Sequence, residues 1–245
     1  MLRRLRVLVA APLVGLLALA QGPLLAPAQA DPVKLPDLLA PIDSGRTLAC
    51  TELVPHAISL TNQKVRLDLR ILLDGVGKPL AKKAVTSMRK AYAPLGIAVA
   101  PTYEKVRFRG RDAAGLNAQA KKHYGGHRPR GVDVVYTMTS KDITATGLLG
   151  DDVAGLADCI GGVRFKDRAF AVGEAFPTAV ATGKCMAHEV GHLLGGHHHY
   201  TSPEGLLAAD PNLLDLMGPT LSLISLRFST VNALMVRAHA QLYAR

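Results

Sequence analysis

The most informative stretch of the chain is residues 188–198, which read HEVGHLLGGHH. It begins with His188 and Glu189 and has a second histidine, His192, four positions after the first. Residues four apart on a helix lie one turn apart on the same face, so the two imidazoles can reach a single metal ion. The stretch therefore predicts a helix that presents two metal ligands to one ion.

A third ligand follows at the point where this helix must end. Glycine adopts the left-handed conformation that terminates helices at little energetic cost, so Gly195 and Gly196 allow the chain to turn back. His198 can then approach the ion from outside the helix. Zinc accepts neutral imidazole nitrogen and takes about four ligands in a tetrahedron, so three histidines leave one position for water. We predict one catalytic zinc ion, bound by His188, His192 and His198.

Glu189 stands directly after the first ligand, which predicts a catalytic role for this carboxylate. Bound zinc lowers the pKa of a water molecule to about 7, and Glu189 is placed to take its proton as a general base. The alternative is a histidine-rich tract, residues 197–199, that only scavenges metal. Such a tract explains neither the upstream glutamate nor the placement of the two glycines, so we favour a catalytic site.

Residues 188–198 resemble the signature HExxHxxGxxH of the metzincin clan of zinc endopeptidases. In that clan a turn with a methionine follows the third histidine and forms a hydrophobic floor beneath the ligands. Residues 215–219, DLMGP, are similar to this turn and place Met217 in it. The resemblance implies an α/β fold: a twisted mixed β-sheet with helices, an active-site helix, and a small irregular C-terminal part that ends in a helix.

Two short matches are similar to the reprolysin or adamalysin branch of the clan. Gly155, Leu156 and Ala157 resemble the edge strand that lines the cleft of that branch, and residues 228–229, Phe-Ser, resemble a pair early in its last helix. Reprolysins carry Asp directly after the third histidine and several disulfides, whereas this chain has histidine there and only three cysteines. The resemblance implies a polypeptide substrate that binds in extended form along the edge strand.

Sequence periodicity beyond this stretch predicts alternating strands and helices. Residues 65–71 alternate apolar and charged side chains, which is typical of a half-buried strand. Pro79, after a glycine turn, suits the first turn of a helix that runs to about Tyr92. The further predictions are a strand at 97–99 or 105–108, a helix at 112–124, a buried strand at 132–138, strands within 155–162 and 169–172, and helices at 178–194 and from about 225 onward. This order favours a layered α/β sheet with crossovers.

The first thirty residues are predicted to be a secretory signal peptide. Arginines within residues 1–6 form a positive segment, residues 7–20 are uncharged and apolar, and residues 28–30, AQA, form a small-x-small cleavage site. The apolar stretch is shorter than the roughly 20 residues that a membrane span takes. We therefore expect a secreted protein that is cleaved before Asp31 and has no membrane attachment afterwards, with Sec and twin-arginine export both open.

The remainder of the sequence divides into an arm and a domain. Residues 31–62 contain repeated prolines and little periodicity, which indicates an irregular arm or a short propeptide. Residues 63–245 contain the periodic segments and the histidines, and they form the predicted catalytic domain. Structural calcium stays open, because no acidic loop of the EF-hand type is present.

Three cysteines follow the signal peptide: Cys50, Cys159 and Cys185. Export permits a disulfide, and an odd number leaves one cysteine over. Cys159 and Cys185 both lie in the segment that leads into the metal-binding helix, so we predict that these two are paired, although a bridge to Cys50 is not excluded by sequence. If Cys50 is free, its thiolate could instead occupy the fourth zinc position and keep the enzyme latent.

Charge and composition bear on the partners. The formal net charge is +10, but the basic residues are dispersed along the chain, and aromatic residues make up only 4%. A nucleic-acid binder is expected to show a basic stripe, stacking aromatics or a known module. We therefore expect a polypeptide substrate, no nucleic-acid partner and a monomer. Two alternatives stay open: a secreted binding or adhesion protein with a zinc-stabilised fold, and a hydrolase that acts on a non-protein amide of the cell wall.

Overall fold

The computed structural model describes residue 50 and residues 60–145, 153–198, 215–218 and 226–244, all of which lie in one compact unit of the chain, residues 35–245. The predicted signal peptide and most of the arm lie outside the described residues. The boundaries at residues 30 and 62 therefore stay predictions. In the described part of the chain, no helix is both long and apolar enough to cross a membrane.

A five-stranded mixed sheet forms the centre of this unit. Its strands are β1 (Val65–Asp74), β2 (Ile97–Val106), β3 (Val134–Thr139), β4 (Gly155–Ala157) and β5 (Phe170–Glu174), in the order β2-β1-β3-β5-β4. The first three pairings are parallel, whereas the edge strand β4 runs antiparallel to β5. The predicted mixed α/β fold is confirmed, and one long β2 replaces the two alternatives considered for the second strand.

Within the described residues, four α-helices accompany the sheet: α1 (Lys78–Tyr92), α2 (Ala113–His123), α3 (Ala179–Leu193) and α4 (Thr230–Tyr243). The last one begins five residues later than its sequence suggested, because residues 226–229 have no regular secondary structure. Its cap is Ser229, whose Oγ accepts a hydrogen bond from the Asn232 amide at 3.3 Å.

The two faces of the sheet pack against different helices. Leu67 and Leu69 of β1 belong to the core that contains α1 and α3, whereas Leu72 packs with Ala120 of α2 on the opposite face. Helices α1 and α3 approach closely, because a Cβ added at Gly183 of α3 would lie 2.7 Å from a side-chain carbon of α1. Helix α3, which carries the predicted ligands, therefore packs against both the sheet and α1.

The disulfide of this unit joins Cys50 to Cys159, so the predicted Cys159–Cys185 bridge is wrong. The amide of Cys50 donates to the carbonyl of Ile160 at 2.8 Å, which places the N-terminal segment beside Cys159. Cys185 is a free, fully buried thiol on α3 that donates to the carbonyl of Ala154 at 3.2 Å. Because Cys50 is oxidised, it has no thiolate to offer a metal ion, and the latency role considered for it is contradicted.

We expect Cys50→Ser to lower the free energy of unfolding. The bridge links residues 109 positions apart, and loss of a disulfide that closes a loop of this size typically costs about 2–5 kcal/mol, since the unfolded chain gains freedom. Urea unfolding followed by circular dichroism measures the difference. Wild-type protein in reductant should unfold near the midpoint of the variant, whereas reductant should leave the variant unchanged; equal stabilities would contradict the pairing.

Candidate metal centre

Helix α3 carries the first two histidines and ends where the sequence predicts. Its last turn is closed by Gly195, which has a φ of +87°, and by hydrogen bonds of 2.8 Å from the Gly195 amide to the His192 carbonyl and from the Gly196 amide to the Gly191 carbonyl. Only glycine adopts this left-handed conformation without strain. The turn reverses the chain and returns His198 to the helix.

The three predicted ligands meet at one point. The Nε2 atoms of His188 and His198 are 2.8 Å apart, and the Nε2 atom of His192 lies 3.0 Å from each of them. All three side chains are buried. Within the described ranges, this is the group of histidine, cysteine and acidic side chains that is arranged to hold a metal ion.

The protonation of the rings fits a cation at this point. The Nδ1 atom of His188 lies 2.6 Å from the Leu216 carbonyl, and that of His192 lies 2.7 Å from the Gly196 carbonyl. A carbonyl oxygen only accepts, so each Nδ1 carries the proton and each Nε2 presents a lone pair. Two lone pairs 3.0 Å apart repel unless a cation lies between them. In a tetrahedral zinc site with bonds of about 2.0–2.1 Å, ligand nitrogens are about 3.3 Å apart, close to this arrangement.

Glu189 is fully buried beside the first ligand and is covered by the edge strand. A Cβ added at Gly155 of β4 would lie 2.7 Å from both Cγ and Cδ of Glu189. No side chain fits at position 155 unless the carboxylate or the edge strand moves. Sequence reasoning placed Gly155 on the edge strand, which is confirmed, but did not reveal that it packs against Glu189.

The side of β4 that faces away from β5 presents main-chain groups. The Glu174 amide donates to the Ala154 carbonyl and the Asp158 amide to the Phe170 carbonyl, each at 2.9 Å. Hydrogen-bonded pairs alternate along an antiparallel ladder, so Gly155 and Ala157 direct their N–H and C=O groups away from β5. The main-chain N–H and C=O groups of Leu156, which lies between them, point toward β5.

Met217 lies beneath the end of α3, in agreement with its predicted place in a turn. The side chain is fully buried. A Cβ added at Gly191 would be 3.0 Å from its sulfur, and one added at Gly196 would be 3.2 Å from its methyl carbon. The preceding residue, Leu216, supplies the carbonyl that holds His188. The turn therefore supports the ligands by packing and by one hydrogen bond.

Two polar residues that support the site were not predicted. Asp215 accepts hydrogen bonds from the amide of Met217 at 2.9 Å and from the amide of Ser229 at 2.8 Å, and it so joins the methionine turn to α4. Aspartate in turns often accepts a hydrogen bond from the main chain two residues on, as Asp215 does here from Met217. The sequence could therefore have predicted this role of Asp215. The second residue, Asn232, has no local signal, because it acts on a segment distant in sequence.

Two titratable side chains near Glu189, Cys185 and Tyr136, are uncharged near neutral pH. Burial, and secondly the charge of Glu189, raise the pKa of the Cys185 thiol well above its ordinary value. Burial likewise raises the pKa of Tyr136, whose hydroxyl lies 3.8 Å from the Cys185 sulfur. Neither group is ionised near neutral pH, so no thiolate or phenolate competes with Glu189 for a proton.

Comparisons with known proteins agree with this site. Residues 93–199, which include all three histidines, match the family described as Metallo-peptidase family M12B Reprolysin-like. A comparison with curated protein sequences gave no match.

Solved structures give the same fold. Metalloproteinase-II from Bacteroides fragilis superposes with a TM-score of 0.52 at 15% identity, over 72% of this chain and 54% of that one, so the chain spans about half the length of that protein. Archaemetzincin from Methanopyrus kandleri superposes with a TM-score of 0.51 at 18% identity, over 71% of this chain and 96% of that one. The chain thus has a metzincin-like fold and, over residues 93–199, resembles reprolysin-like metallopeptidases.

Proposed function

We propose that the protein is a secreted zinc-dependent endopeptidase. The observation that carries the proposal is the convergence of three Nε2 atoms, none more than 3.0 Å from the next, beside a buried glutamate under an edge strand. His188, His192 and His198 are the proposed zinc ligands. Export is supported by the features of residues 1–30, which have the composition of a signal peptide.

The proposed chemistry assigns one proton-transfer role to the chain. When bound, zinc supplies a Lewis acid that makes water acidic enough to be deprotonated near neutral pH. Glu189, adjacent to the first ligand, takes this proton on a carboxylate oxygen and returns it to the departing amine. The buried position of Glu189 keeps bulk water from competing for the same proton.

The proposed substrate is a polypeptide in extended conformation. Gly155 and Ala157 direct main-chain donors and acceptors away from β5, on the side where we place an extended chain as an added strand. Such pairing recognises the backbone more than side chains. It also brings the peptide next to Glu189, because β4 packs directly on that carboxylate.

Two alternative functions are less well supported. A binding or adhesion protein that uses zinc only for stability has no need of a buried carboxylate beside the ligands. A hydrolase of a cell-wall amide would use the same metal and base, but the strand-shaped edge next to Glu189 favours a peptide. The three candidate functions differ in whether a substrate is cleaved and, if so, in which kind of bond.

Incubation with unfolded casein, with a chelator control, tests the proposal. We expect internal cleavages by mass spectrometry, loss of activity on chelation, and an N terminus at Asp31 for the exported protein. Purified cell-wall fragments, incubated in parallel, should stay intact. Release of amide products from those fragments without casein cleavage would favour the amidase, and zinc binding without any cleavage would favour the binding protein.

A further inference from the structure

The segment between the second and third ligands is held by α4. At Gly195, an added Cβ would lie 2.5 Å from Nδ1 and Cε1 of His239, so this helix packs directly on the turn. Two residues later, the main chain of His197 is bound by the side chain of Asn232. Because His198 is the next residue, whatever fixes the His197 backbone also fixes the origin of the His198 side chain.

Asn232 binds both main-chain groups of one residue. Its Oδ1 accepts from the His197 amide at 2.9 Å, and its Nδ2 donates to the His197 carbonyl at 3.0 Å. The side chain has no solvent exposure. A carboxamide offers one acceptor and one donor side by side, so Asn232 restrains both the position and the rotation of this peptide segment.

The same turn of α4 also reaches the first ligand. Ser229 caps the helix by accepting from the Asn232 amide, and its own amide donates to Asp215 at 2.8 Å. Asp215 in turn holds the amide of Met217, next to the Leu216 carbonyl that accepts from His188. The first turn of α4 is thus connected to two of the three ligands.

We propose that Asn232 is a positioning residue of the metal centre, which holds the His197 main chain so that the His198 Nε2 atom meets those of His188 and His192. The inference rests on the proposed zinc site. Groups that orient metal ligands from outside the coordination sphere typically change metal affinity by about 10- to 100-fold when they are removed. Asn232 is expected to act on zinc affinity first and on catalysis only as a result.

Two substitutions test this role. Asn232→Leu removes both hydrogen bonds at similar volume, and Asn232→Asp keeps the shape and the acceptor but loses the donor to the His197 carbonyl. Aspartate near the start of a helix is favourable, so Asn232→Asp should fold even if the leucine variant does not. We expect zinc affinity, measured by competition with a chromophoric chelator, to fall by about 10- to 100-fold, and the visible spectrum of the cobalt-substituted protein to change.

Asn117→Leu is the matched control for metal affinity. Asn117 is also a buried asparagine on a helix whose Nδ2 donates to a carbonyl, but that carbonyl is the one of Leu156 on β4, at 3.0 Å, and not one between His192 and His198. The Asn117→Leu variant should keep the wild-type zinc affinity and cobalt spectrum. Folded Asn232 variants with wild-type affinity and spectrum, or an equal loss in Asn117→Leu, would overturn the inference. Wild-type protein that binds no zinc would instead overturn the proposed function itself.

Discussion

Glu189→Gln is expected to abolish most peptide hydrolysis while zinc remains bound. Glutamine has nearly the same shape as glutamate but cannot take a proton from water, and loss of a general base typically lowers the rate by about 10²–10⁴-fold. Because Glu189 is not one of the three converging ligands, the zinc content should stay at the wild-type value. Turnover of a fluorogenic peptide, together with metal analysis of the same sample, measures both quantities.

Glu104→Gln is the matched control for this substitution. Glu104 lies on β2, at the opposite edge of the sheet from β4, where it binds Arg70 at 3.0 Å and His123 at 2.7 Å. Removal of its charge should leave turnover unchanged. Near-normal turnover of Glu189→Gln would show that another group takes the proton, and loss of zinc from that variant would mean that Glu189 supports the ligands.

Gly155→Ala should also inactivate the protein, for a steric reason. The added methyl carbon would lie 2.7 Å from Cγ and Cδ of Glu189, far inside van der Waals contact, so the carboxylate or the edge strand has to move. A misplacement of about 1 Å in a catalytic group costs about 10²-fold in rate. We expect kcat/KM to fall by at least that factor. Zinc content and the thermal unfolding midpoint of the protein should change little.

Gly77→Ala provides the comparison for the glycine substitution. Gly77 has a φ of −74°, and the nearest atom to an added Cβ is 3.7 Å away, so alanine fits there. Its activity should equal that of the wild type. Full activity of Gly155→Ala would contradict the packing of β4 on Glu189 and remove the main reason for placing the substrate along that strand.

The ligand helix was predictable from sequence because its signals are local. His188 and His192 are one helical turn apart, and the glycines that end α3 directly follow. The alternation in residues 65–71 likewise predicted β1, since strand periodicity is read within a few residues. These features depend on neighbours in the chain, and the structure confirms them.

The contacts that depend on packing were not predictable. Cys50 and Cys159 are 109 positions apart, and three cysteines permit more than one pairing, so proximity in sequence favoured the wrong partner for Cys159. Asn232 and His197 are separated by 35 residues, and nothing periodic links them. The contact of Gly155 with Glu189 likewise arises only when β4 packs on α3.

Zinc titration of the metal-free protein, with peptide hydrolysis followed at each addition, tests the central claim most directly. The three converging histidines predict that activity rises in proportion to added zinc and stops rising at about one ion per chain, as expected for a single catalytic site. A hydrolysis rate that does not change with added zinc would contradict the account. So would one equivalent of bound zinc without any cleavage of unfolded protein.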